Sequence, residues 1–305
     1  MEVNISFSQW NIGELLMPIE EEELSVKPIE ELGAYKPNEN QIPTLFFIDG
    51  VRRTEASIAL QLPNSPKVYR GIFASLCAGA LMVRYGGINL IQESLIYHHL
   101  KRYLFTDLEQ NLLESFPKLK DTDFEPKFSD QDMSLAIMNE LRSNLEINSA
   151  IKAIQESSKY QNSIVICDGT LDPSLSQTHC VGLIKNSQRA FVEPELLSKL
   201  KPGERSHIFA FLKDGKPYKY SWYVKLNDGS LENLIRLEIF ACDSKTLYNI
   251  VDTCTYALPL LSSNPFQDQR SPQNLLPISS LERFLRHHLG SYKIIRSNII
   301  KALRD

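Results

Sequence analysis

The sequence predicts an α/β fold built around a mixed β-sheet, and three features of it carry that reading. Two short apolar runs, 45–48 and 164–167, each end in Asp-Gly, the texture of buried strands that stop at a sheet rim. Between them Leu135, Met138, Leu141, Leu145, Ile151 and Ile154 recur at helical spacing. Further on, Asp214-Gly215 separates two strand-like runs, 206–212 and 218–226, and so marks a hairpin, which adds antiparallel pairing to the sheet.

Taken in order, residues 1–42 carry Glu20 to Glu23, Glu30, Glu31 and several prolines with little apolar material, and read as an acidic arm. A strand follows at 44–48, stopped by Asp49-Gly50, and 67–83 supplies more strand. Residues 89–116 look mainly helical, and 117–132 form a charged connection. The helix over 132–157 leads into the strand at 163–168. Strands at 181–185, 206–212, 218–226 and 236–241 come next, then a helix over 244–261, a polar Pro-containing link at 264–273 and a helix near 279–289. Residues 291–305 read as a basic tail.

At 305 residues, with 43% hydrophobic and 23% charged side chains, the chain is long enough to bury a large core. A net charge of −4 means that any nucleic acid must be held in a local basic groove. The longest nearly apolar stretch, 71–83, is well short of the roughly 20 residues a membrane helix needs, and no cationic segment leads into an apolar one at the start. A cytoplasmic protein without a membrane span is expected. The five cysteines lack CxxC spacing, which argues against a disulfide framework or zinc finger and for buried thiols. No GxSxG, GxGxxG, Walker A or HExxH motif is present, so ATP hydrolysis falls to a partner if it is needed.

Of the four Asp-Gly dipeptides, those at 214 and 228 are flanked by polar residues and read as turns. Asp49 and Asp168 differ, because each closes a buried run. If the two strands are neighbours, their carboxylates converge, and like charges at one site call for a cation; oxygen ligands favour Mg²⁺ or Mn²⁺. Glu146 is a candidate third carboxylate, since Ala150 and Ala153 on its helix face allow close approach to the sheet; an exposed i,i+4 pair with Arg142 is the alternative. Lys185 either lies beside phosphate oxygens or snorkels from a strand edge. His98-His99 and His287-His288 read as helix-surface pairs. Tyr218, Tyr220, Trp222 and Tyr223, interleaved with Lys219 and Lys225, form either a stacking surface for a nucleic-acid strand or a packed strand face.

The segments Phe-Phe-Ile-Asp49-Gly50-Val-Arg52-Arg53, Arg142-(x)3-Glu146, Val-Ile-Cys-Asp168-Gly169-Thr-Leu, Val-Gly-Leu-Ile-Lys185-Asn, Ile-Arg236-Leu-Glu238 and Ser271-Pro-Gln-Asn-Leu-Leu-Pro-Ile-Ser-Ser-Leu-Glu282-Arg occur in an order that resembles the NurA nuclease family, particularly its bacterial branch. The resemblance spans residues 43–290 and implies an RNase H-like core with additional C-terminal strands and helices. It also implies Mn²⁺- or Mg²⁺-dependent DNA cleavage with two ions, a homodimer and a HerA-type hexameric ATPase acting in DNA end resection. Carried over by position, it makes Asp49, Glu146 and Asp168 metal ligands and places Lys185 near the scissile phosphate. Arg52, Arg53 and Arg236 are candidate DNA contacts, with solvated surface the alternative for the first two. The archaeal pattern has a histidine where this chain has Glu282, which is either a further carboxylate ligand or a helix-surface charge. A catalytically inactive DNA-binding or ATPase-regulating subunit on the same fold is the competing expectation.

Overall fold

The computed structural model describes residues 4–7, 24–37, 42–63, 65–85, 91–185, 190–228, 233–263 and 274–304. At its centre three long antiparallel strands, Thr44–Gln61 (β4), Val68–Tyr85 (β5) and Ile91–Thr106 (β6), follow the short strands Asn4–Phe7 (β1), Ser25–Pro28 (β2) and Ala34–Tyr35 (β3). Glu125–Phe128 (β7) pairs in parallel with the end of β6. Ser163–Asp168 (β8) lies parallel to β4, and Val181–Ile184 (β9) parallel to β8. Beyond β9 the sheet continues antiparallel through Leu234–Phe240 (β13), Lys216–Lys225 (β12), Phe209–Lys213 (β11) and β2, while Arg205–Ser206 (β10) bridges β12 to β3. Three antiparallel strands followed across the sheet by two parallel ones form the expected RNase H-like mixed core, and the later strands extend it.

Helices cover both faces. On one side Met133–Glu140 (α1), a π-helical turn at Leu141–Glu146 and Ile147–Ser157 (α2) run as one continuous helix, started by Asp132, whose carboxylate accepts the Ser134 and Leu135 amides. Pro194–Lys199 (α3) is a short connector. On the other side Ser244–Ala257 (α4) and Leu276–His288 (α5) pack with Leu45, Phe47, Ile166, Leu183, Trp222 and Leu237 in the largest hydrophobic cluster. Because successive strand residues alternate faces, Phe46 and Ile48 pack with Ala150 and Ala153 on the α2 side. Among the described residues no helix is long and apolar enough to cross a membrane.

Several expectations are corrected. Residues 91–106 form β6 and not a helix. Leu95 and Leu100 both face the main cluster although five residues apart, because a register shift leaves Ile96 unpaired between Leu95 and Tyr97; the bulge reverses the parity and makes a strand pattern look helical. Asp49-Gly50 does not stop β4, since both residues keep their ladder pairing with Gly79 and Ala78. Asp214-Gly215 does turn, with φ of 52° and 74°. Residues 292–304 form a helix, Tyr292–Arg304 (α6), with Ile299 and Leu303 buried beside Leu119 and Phe124. Within the acidic arm Glu30 binds Arg205 and accepts the Ile208 amide at 2.6 Å, tying the arm to the sheet. Glu20 to Glu23 and the link at 264–273 lie outside the described residues.

Candidate metal centre

Parallel pairing of β4 with β8 sets Ile48 opposite Cys167, so the next residues, Asp49 and Asp168, fall side by side where β8 ends. Asp49 lies on the same strand face as Phe47 and Val51, the face covered by α5. Gly79, its partner on β5, explains how closely that helix approaches: a Cβ there would stand 3.0 Å from Leu285 Cδ2 and 2.8 Å from the Tyr97 carbonyl. Glu282 is one turn before Leu285 on α5 and reaches into the same space. Oxygens of Asp49, Asp168 and Glu282 all lie within 4.8 Å of one another.

Asp49 is 7% exposed and Glu282 9%. Asp49 Oδ1 accepts the Gly50 amide at 2.7 Å, whereas Oδ2 is buried without a hydrogen-bond partner. Burial first, and then the Asp168 charge, hold the Asp49 carboxyl well above the usual carboxylate range, with Glu146 and Glu282 adding to the effect and Lys185 opposing it. Lys185 Nζ donates to Asp168 Oδ2 at 2.6 Å and to Asn274 Oδ1 at 2.8 Å. Three clustered carboxylates, one of them carrying an orphaned buried oxygen, are an all-oxygen donor set suited to Mg²⁺ or Mn²⁺.

Glu146 is placed differently. It comes from the π turn on the opposite side of the sheet and is not one of the three clustered carboxylates. It approaches over Gly50: a Cβ at Gly50 would stand 2.5 Å from Glu146 Oε1 and 2.8 Å from Leu141 Cδ1. Glycine is therefore needed here for close approach, not for a turn. Burial pushes the Glu146 carboxyl up to about 8; the nearby Arg142 opposes this and Asp168 adds to it. Gly50→Ala should overpack the contact and lower stability by about 1–3 kcal/mol, read as a fall in the denaturant midpoint; an unchanged midpoint would mean that Glu146 has room to retreat.

The raised carboxylates set a pH dependence. Glu146 and Asp49 hold protons in the folded chain that the unfolded chain releases from about pH 4–4.5, so the folded state binds more protons above that pH. In chelator, thermal stability should fall as pH rises from about 5 to 8, and Mn²⁺ should restore it most at the alkaline end. A melting temperature that rises with pH over this window in chelator would contradict the arrangement.

The loop after Asp168 is pinned from below. Gly169 takes φ +99°, and its amide donates to the Leu183 carbonyl at 2.8 Å. The Leu171 amide donates to Glu238 Oε1 at 2.8 Å, and Lys219 Nζ donates to both Glu238 Oε1 (2.8 Å) and the Leu171 carbonyl (3.2 Å). From the sequence Glu238 and Asn274 carry no assigned role, and Lys219 figures only in the stacking-or-packing strand. The available signal was charge at alternate positions of an otherwise apolar strand, Arg236 and Glu238, facing Lys219 on the neighbouring one.

Other candidates are placed as follows. Arg236 is 3% exposed, beside Glu238 and the Phe191 and Phe211 rings, so it is held inside the sheet. Arg53 is tied to buried Glu55 at 2.8 Å and to the Gly290 carbonyl at 2.9 Å, while Arg52 is half-buried on β4 opposite Leu76. Trp222 and Tyr223 are buried on opposite faces of β12, Lys219 and Lys225 are buried too, and Tyr218 and Tyr220 are half-buried, so most of this strand is packing rather than a stacking surface. His98 lies on a strand, not a helix, and its ring meets that of His288 at 4.4 Å. Cys77, Cys180 and Cys254 are buried thiols.

No protein-family model and no curated protein matches this chain. Among solved structures, the NurA nuclease from Sulfolobus solfataricus aligns over 90% of this chain and 88% of its own, with a TM-score of 0.50 and 13% sequence identity. The two chains share a fold. At that identity the likeness concerns architecture, and chemistry has to be argued from the carboxylates.

Proposed function

We propose that the protein is a divalent-metal-dependent deoxyribonuclease that hydrolyses phosphodiester bonds. The observation that carries this reading is the gathering of Asp49, Asp168 and Glu282 oxygens within 4.8 Å, with Asp49 Oδ2 buried and unbonded. The fold shared with the NurA nuclease and the ordered sequence segments that resemble that family support it. Asp49, Asp168 and Glu282 would hold Mn²⁺ or Mg²⁺, and a bound cation would lower the Glu146 carboxyl and let it add negative charge from across the sheet. Bound ions, two in this reading, would supply Lewis acidity at the phosphate and a water of lowered pKa. Lys185 adds positive charge beside Asp168, where charge grows on the phosphate oxygens in the transition state. Arg142, whose guanidinium lies over Gly169, is a second cation at the same edge.

The resemblance also brings a setting: a homodimer in the cytoplasm, acting in DNA end resection with a HerA-type hexameric ATPase that moves the DNA. Linear single- and double-stranded DNA incubated with the protein and Mn²⁺ should be degraded, and EDTA should stop it. Intact DNA with Mn²⁺ present would favour a non-catalytic subunit.

A further inference from the structure

Asn274 is fully buried, at a β-bridge of Leu275 with Ser262 just before α5. Its side chain has a fixed sense. An ammonium only donates, so the atom facing Lys185 Nζ at 2.8 Å must be the amide oxygen. The amide nitrogen then donates to Ser279 Oγ at 2.8 Å, on the first turns of α5. The Asn274 carbonyl in turn accepts the Ser263 hydroxyl. The residue thus joins Lys185 to the helix that delivers Glu282.

We infer that Asn274 is a positioning residue that holds Lys185 to its single contact with Asp168, keeping the ammonium from also pairing with Asp49 and Glu282. The inference rests on the metal-site reading above. An ammonium has three N–H groups. Here one goes to Asp168 Oδ2 and one to Asn274 Oδ1, which leaves the third for a phosphate oxygen. Without an acceptor at 274, the freed N–H would turn to Asp49 and Glu282, whose oxygens lie within 4.8 Å of the Asp168 carboxylate that Lys185 already binds, and a resident monovalent cation would compete more strongly with the divalent one. Asn274 therefore sets whether Lys185 opposes metal binding or assists the phosphate.

The test is a double-mutant cycle read by calorimetric titration of the purified full-length chain with Mn²⁺ alone. Asn274→Leu should weaken Mn²⁺ binding by about tenfold, the scale of coupling between neighbouring residues. Lys185→Met, which removes the competitor, should tighten it. In the Lys185→Met background, adding Asn274→Leu should change nothing. Asn274→Ala carries the same expectations should leucine not be accommodated, and Asn274→Asp, which keeps an acceptor, should bind at least as tightly as the wild type. Mn²⁺ binding unaffected by Asn274→Leu or Asn274→Ala, or a loss of equal size with and without Lys185, would overturn the positioning role while leaving the metal site standing. Weaker binding in Lys185→Met would overturn the competition. Absence of Mn²⁺ binding by the wild-type chain would instead remove the metal-site reading, and this inference with it.

Discussion

Asp49→Asn and Asp168→Asn should each lower Mn²⁺-dependent DNA cleavage by at least about 10²–10³-fold, the scale of losing one preorganised electrostatic contact to a transition state. The two differ in a second respect that separates a metal centre from a structural cluster. Asp49 holds its carboxyl buried and well above the normal carboxylate range, so in chelator at pH 8 its ionised form opposes folding. Asparagine keeps the shape and removes that charge; the metal-free Asp49→Asn variant should therefore melt higher than the wild type at pH 8, and Mn²⁺ should no longer raise it appreciably. Asp168→Asn removes the carboxylate that Lys185 binds at 2.6 Å, so no comparable gain is expected. Gain of stability with loss of function is the pattern of a site kept for chemistry at a cost to the fold. Full cleavage by both variants would eliminate the proposed centre.

Lys219→Met should be the most damaging single change away from that centre. Glu238 is fully buried and receives Lys219 at 2.8 Å, with Arg236 at 3.7 Å as its other cation. Burial would raise the Glu238 carboxyl, but Lys219 and Arg236, together with the Leu171 amide, outweigh that and hold it below its usual range. Removing the closer cation leaves a buried carboxylate undercompensated, which typically costs about 3–5 kcal/mol. It also deprives the Leu171 carbonyl of its donor and loosens the loop that follows Asp168. Urea unfolding should show the loss, and Mn²⁺ binding should weaken along with it. A loss below about 1 kcal/mol would mean that Arg236 alone satisfies Glu238.

The sequence made the two aspartates visible because each ends an apolar run, and that texture survives without knowledge of neighbours. Their adjacency came from a conditional, that the two strands pair, which the parallel register of 44–48 with 163–167 meets. Glu282 was harder to place, since a glutamate on an amphipathic helix looks like surface until the approach of α5 over Gly79 is known. Glu146 shows the opposite limit: helix spacing correctly turned its face to the sheet, but spacing cannot tell which side of the sheet the helix covers. The error at 91–106 has a local cause, one bulged residue, and strand parity is fragile to a single insertion. Asn274 acts through Lys185, 89 residues away, and no local pattern reports it; Lys219 and Glu238 show only as charges set into apolar strands.

The length of β4 has a mechanical consequence. One end of the strand carries Asp49 beside the main cluster, and the other carries Ile58 and Leu60 into a second one with Phe73 and Leu104. Clamped in two places and zipped to β5 along almost its whole length, this rail cannot bow outward to spread its anions. Strand movement thus cannot relieve the crowding of carboxylates that Lys185 only partly offsets, and the backbone amides around Asp49 should exchange with deuterium only when the entire molecule comes apart.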